Sequence, residues 1–121
     1  MLSEYFEAVV NADTSPIVIC NTEHIIIYMN PTAVKRYEKR GGAALVGKSI
    51  FDCHNSHTRE IIESVTEKFR ITPDLNKLYT YSKTWDGEDS DVYMVALRNK
   101  NGEFIGYYEK HESRIHEKSE G

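Results

Sequence analysis

Two tight-turn dipeptides, Asp86-Gly87 and Asn101-Gly102, cut residues 78–112 into three strand-length pieces. Asp-Gly and Asn-Gly tolerate the positive φ that the favoured hairpin turns require. The pieces, about Leu78–Trp85, Val92–Asn99 and Phe104–Glu112, therefore read as an antiparallel meander. Earlier in the chain, IVIC and IIIYM are β-branched runs on either side of Asn21-Thr22-Glu23, the pattern of a hairpin. Helical patterns separate the two groups of strands. One domain suits a chain of 121 residues. The expected fold class is α+β, a five-stranded antiparallel sheet with helices packed on one face.

The helices have recognisable boundaries. Leu2, Phe6, Val9 and Val10 give the first segment one apolar stripe, with Ser3 a candidate N-cap and Asp13-Thr14-Ser15-Pro16 a stop. Asn30-Pro31 pairs a capping side chain with the residue best suited to the first helical position. That helix is expected to run from Pro31 to about Arg40 and to end at Gly41-Gly42. Residues 43–51 read as irregular or single-turn. A longer helix follows, capped by Asn55 or Ser56 and running to about Arg70. Its inner face carries Ile61, Ile62, Val65 and Phe69, and Thr72-Pro73-Asp74 ends it.

Composition narrows the function classes. Nineteen acidic against fifteen basic side chains give a net charge of -4, and the Lys and Arg read as scattered, which argues against nucleic acid. No apolar run approaches the ~20 residues of a spanning helix. The N-terminus has no signal-peptide pattern, so no membrane contact and a cytoplasmic location are expected. Cys20 and Cys53 are too few for a disulfide framework and read as two packed, reduced thiols. The last residues, HEKSEG, read as a charged tail.

Three stretches together resemble a PAS domain. IVICNTEHIIIYMNPTAVKRYE resembles the family's opening hairpin and Asn-Pro helix start. ALVGKSIFD resembles the turn before its long helix, and VYMVALRNKNGEFIGYYEKHE resembles its closing hairpin. Asp52-Cys53-His54-Asn55 is similar to a step found in a subgroup of bacterial PAS modules. The resemblance covers residues 1–112, with 1–12 a possible dimer element and 113–121 a tail. It implies a sensory or interaction module whose helices close a pocket against the sheet. Its signal would pass to a dimer partner, a separate signalling protein or a fused effector.

The expected ligand-binding residues in the helix–sheet cleft are Cys53, His54, His57, Ile61, Tyr28 and Met94. Which ligand binds there is left open. In the flavin-adduct class of the family the reactive Cys stands three residues after a Gly equivalent to Gly47. That position is Ile50, and Cys53 comes too late, so no flavin adduct is expected. Haem is an alternative, with His54 as the iron ligand; if helical, His54 and His57 would share one face. A zinc site would need a third ligand such as Asp52, and neighbours on one turn seldom reach tetrahedral geometry. His24, His111 and His116 read as solvent-exposed. Adjacent Cys53 and His54 point apart and form no nucleophile–base pair, and no catalytic motif is present, so the chain is not expected to be an enzyme.

Tyr79, Tyr81, Trp85, Tyr93, Tyr107 and Tyr108 fall on the closing strands and divide between the core and the outer sheet face. That face is expected to be covered by a dimer partner or by the first helix, whose own stripe could pack on this sheet or on a second subunit. Three functions remain: a ligand-binding sensor, a ligand-free interaction domain with a filled core, and a haem-based redox or gas sensor.

Overall fold

In the computed structural model, which describes residues 1–116 and Ser119, the chain order is α1 (Leu2–Ala12), β1 (Ile17–Asn21), β2 (Ile26–Met29), α2 (Pro31–Arg36), α3 (Ser56–Ile71), β3 (Lys77–Trp85), β4 (Glu88–Arg98) and β5 (Phe104–Ser113). Three short 3-10 turns, Glu38–Arg40, Gly42–Leu45 and Ile50–Cys53, bridge α2 to α3. Part of the expected C-terminal tail, residues 117, 118, 120 and 121, lies outside the described residues.

The five strands form one antiparallel sheet in the order β2-β1-β5-β4-β3. The opening hairpin joins the closing meander through β1 and β5, where Ile17 faces Lys110 and Asn21 faces Gly106. That pairing needs a glycine. A Cβ on Gly106 would lie 2.3 Å from the Cys20 carbonyl oxygen, inside any real contact distance. At the β3–β4 turn, Asp86 and Gly87 take φ of 54° and 78°, as the Asp-Gly pair predicts.

Inward positions alternate along the last two strands of the meander: Val92, Met94 and Ala96 on β4, and Tyr107, Glu109 and His111 on β5. The 3-10 turns, α2 and α3 form an arch over this face, and Leu45, Ile50, Ile62, Val65 and Phe69 pack beneath it. Asn30 fixes where the arch departs. It is fully buried; its Oδ1 accepts from Ala33 N and Ile17 N, each at 2.9 Å, and its Nδ2 donates to the Ser15 carbonyl at 2.9 Å. Arg98 closes the other end of the arch by donating to the carbonyls of Phe69, Thr72 and Leu75 near the α3 C-terminus.

Several expectations are corrected. α2 ends at Arg36 and passes into a 3-10 turn instead of continuing to Arg40. The second meander strand begins at Glu88, not Val92. Ser3 lies inside α1, whose N-cap is Met1. α1 does not join the layer over the sheet: none of its residues is buried, and it is tied down at its C-terminal end, where Asn30 Nδ2 donates to the Val10 carbonyl and the Tyr28 hydroxyl donates to Asn11 Oδ1.

Candidate functional site

The arch and the sheet meet at a buried carboxylate. Glu109 sits on β5 in phase with inward-facing Tyr107, and is 1% exposed. Two imidazoles converge on its Oε1: His111 Nε2, two residues along the same strand, at 2.9 Å, and His54 Nε2, from the turn before α3, at 3.6 Å. The Tyr37 hydroxyl, from the end of α2, lies 3.3 Å from His111 Nε2. Glu109 Oε2 and His111 Nδ1 have no hydrogen-bond partner among the described residues.

The backbone decides the proton arrangement at His54. Its Nδ1 lies 2.8 Å from the Ile50 carbonyl oxygen, which can only accept, so Nδ1 carries a proton. Nε2 then faces Glu109 either as a lone pair against a carboxylate or as a second N–H donating to it. The second arrangement is favourable. Burial alone would lower the pKa of His54, but its contacts to Glu109 and the Ile50 carbonyl outweigh burial and raise it. Burial likewise works against the Glu109 carboxylate, yet His111 and His54 hold its pKa down at about 2. The pair is ionic when the surrounding pH is mildly acidic.

A small cavity adjoins this cluster, lined by Glu109, His54, Cys53, Tyr37 and apolar side chains including Val18 and Met29. Its volume is ≈ 10 Å³, enough for one water-sized group. Cys53 reaches the cavity, but burial raises its pKa, and burial pushes Cys20 up to about 12; neither is an activated thiolate.

Of the six residues expected to line a cleft, Cys53 and His54 meet at this cavity. Met94 belongs to the core beneath the arch without lining it. His57 is exposed on the first turn of α3 and, with Ile61, faces a separate groove against β3. The shared helical face expected of His54 and His57 does not form, because His54 precedes the Asn55 cap with extended backbone. Tyr28 points to the outer side of the sheet, toward Asn11. Two other expectations reverse. His111 is buried against Glu109, and His24 is half-buried, with Nδ1 2.8 Å from the Tyr107 hydroxyl. Glu109 and Tyr37 were not anticipated; the signal was the spacing of two along β5 that sets Glu109 and His111 in phase with Tyr107.

Haem does not fit this arrangement. His54 has Nδ1 engaged by Ile50 and Nε2 turned to Glu109, and the adjoining space is water-sized. Among the described residues no group of three or more His, Cys, Asp and Glu side chains has metal-binding geometry.

Comparison with solved structures bears on the fold. The PAS domain of a Colwellia psychrerythraea protein superposes with a TM-score of 0.69 at 15% identity, covering 93% of this chain and 95% of that one. The fold is that of a PAS domain. The Bordetella pertussis BvgS PAS domain matches with a TM-score of 0.66 at 18% identity, covering 98% and 90% of the two chains. The C-terminal domain of a Streptococcus mutans protein gives a TM-score of 0.70 at 21% identity, covering 92% and 84%. No family model and no curated protein sequence matches. Within the PAS fold, the Glu109 cluster occupies the space between the arch and the sheet.

Proposed function

We propose that the chain is a sensory, signal-transducing module whose sensing element is the Glu109 cluster and whose output surface is the outer sheet face together with α1. One observation carries this reading. A fully buried carboxylate on a central strand is joined to the arch by His54 and keeps one oxygen, Oε2, without a donor among the described residues, beside a cavity. A buried acceptor left unpaired costs about 1–3 kcal/mol, more when charged, so a small ligand presenting a hydrogen-bond donor gains by entering. A ligand larger than water requires the arch to move away from β5. Such a movement would carry occupancy to the rest of the sheet.

The output side supports a homodimer. Leu2, Tyr5, Phe6 and Val9 form a stripe along α1, each more than 60% exposed. Tyr79 and Ile105 expose further apolar surface. A second copy of the chain covering these faces, with a partner protein or fused effector reading the result, completes the signalling reading. Extraction of small molecules from the purified chain, followed by mass spectrometry, tests the sensing element. A donor-bearing molecule retained by the wild type and lost in Glu109→Ala is expected. Wild-type protein that carries no such molecule, and gains no thermal stability from a library of them, would contradict it.

The second reading is a ligand-free dimerisation domain. The small volume of the inner cavity favours it, because the core is almost filled. Dimerisation without any bound molecule would select this reading.

A further inference from the structure

The geometry points to a second site, outside the Glu109 cavity, that binds a small polyanion. It is a cleft of ≈ 310 Å³ between the α2 end of the arch and the far end of β3, lined by Lys35, Arg36, Lys39, Arg40, Lys83 and Trp85. Ligand pockets begin at about this volume. Five cations meet there in a chain whose net charge is -4, and among the described residues none of the five has a carboxylate partner in an ion pair. Glu38 is the single carboxylate on the wall. The sequence expectation of scattered cations is corrected here: the KR and KR pairs at 35–36 and 39–40 lie on consecutive turns, and the sheet brings Lys83 to meet them.

The cations are partly positioned already. The Arg36 guanidinium stacks 4.8 Å from the centre of the Trp85 ring, and Lys83 Nζ lies 5.9 Å from the same centre. Arg40 Nη1 donates to the Cys53 carbonyl at 3.0 Å. Trp85 thus gathers one cation from the arch and one from β3, and the backbone of the Ile50–Cys53 turn fixes a third. Like charges confined in a concavity repel, and an anion bridging them relieves that repulsion while accepting charge-assisted hydrogen bonds from several at once. Arg36 and Lys83 both lie against the indole, so the cleft presents chiefly positive charge. The ligand class is therefore a compact polyanion, phosphate-bearing or polycarboxylate. Tyr37, Cys53 and His54 form the wall shared with the inner cavity, so an anion here would touch the same turn that contacts Glu109. The inference stands apart from what fills the inner cavity.

Trp85 is the single tryptophan of the chain, so its fluorescence reports the cleft directly. The full chain is titrated with inorganic pyrophosphate, with citrate, and with sodium chloride at matched ionic strength, and binding is repeated by calorimetry. A saturable fluorescence change with pyrophosphate or citrate, absent with sodium chloride, is expected. Preference for pyrophosphate assigns the phosphate class and preference for citrate the polycarboxylate class. Lys39→Glu, which touches neither Trp85 nor the core, should weaken binding roughly tenfold, as expected when one charge-assisted contact turns repulsive. Lys100→Glu makes the same change of net charge in the distant β4–β5 turn and should leave binding unaltered. No saturable response to either anion, an equal response to sodium chloride, or equal losses in the two variants would overturn the inference.

Discussion

Glu109 and His54 come from opposite layers of the domain, β5 and the turn leading into α3, yet their side chains approach to 3.6 Å with the carboxylate fully buried. Burying a charge is costly unless it is paired and hydrogen-bonded. Here the carboxylate anchors the arch to the sheet, and the stability of the domain should reveal it. Glu109→Ala leaves His54 and His111 facing an empty apolar space and should destabilise the domain by about 3–5 kcal/mol. Glu109→Gln keeps the shape and should cost less. Chemical denaturation at pH 6 checks both, and wild-type stability in either variant would contradict the anchoring role of the carboxylate.

Stability should depend on pH with a defined sign. The folded-state pKa of His54 is raised above its ordinary 6.5, so its contribution is complete below 6.5 and is lost as pH rises through the folded value. The folded-state pKa of Glu109 is lowered from 4.5 to about 2, so its contribution is complete above 4.5 and is lost as pH falls toward 2. These two groups therefore favour the folded state most between about pH 5 and 6.5. Melting temperatures across pH 4–9 should decline on the alkaline side in the wild type and flatten there in His54→Gln.

The Asn30 side chain satisfies two backbone donors and three backbone carbonyls in a site closed to water. Asn30→Ala should cost about 2–4 kcal/mol, through unpaired buried groups and the lost cap of α2. Asn30→Asp keeps the acceptor but sets a second carboxylate oxygen against the carbonyls of Val10, Asp13 and Ser15 in a buried site, and should cost at least as much as Ala at neutral pH. Equilibrium unfolding measures the series.

Gly106 should tolerate no side chain. With its Cβ position 2.3 Å from the Cys20 carbonyl, Gly106→Ala must displace β5 from β1, at a cost of about 3 kcal/mol or more. Amide exchange should rise along residues 17–21 before it rises in β4. Unchanged protection there would contradict the stated contact.

The exposed stripe of α1 predicts self-association. Sedimentation should give a dimer at high concentration, and Leu2→Ser, Phe6→Ser and Val9→Ser combined should give monomer without loss of the fold, since none of the three is buried.

The strands and their common sheet were legible because β-branched runs and Asp-Gly and Asn-Gly turns act locally. The departure of α2 at Asn30-Pro31 was legible for the same reason. The site was less so. Cys53 and His54 stood out as chemistry-bearing neighbours, but Glu109 reads in the sequence as one more charge in YYEKHES, where adjacent Tyr107 and Tyr108 hide which side faces inward. Only the pairing of β5 with both β1 and β4 settles that Tyr107, Glu109 and His111 share the inner face. Helical spacing carried one turn too early, across the Asn55 cap, puts His54 and His57 on one face; His54 instead precedes the helix, and His57 is exposed on its first turn. Tyr28 was misplaced because a continuously apolar strand gives no phase.

The most direct test is to follow the Glu109 carboxyl carbon and the His54 ring nitrogens by NMR as pH is varied. The buried ionic contact predicts a carboxyl that titrates well below 4.5 and an imidazole that stays doubly protonated above 6.5. A Glu109 carboxyl that takes up its proton above 4.5, with His54 neutral at pH 6, would contradict it.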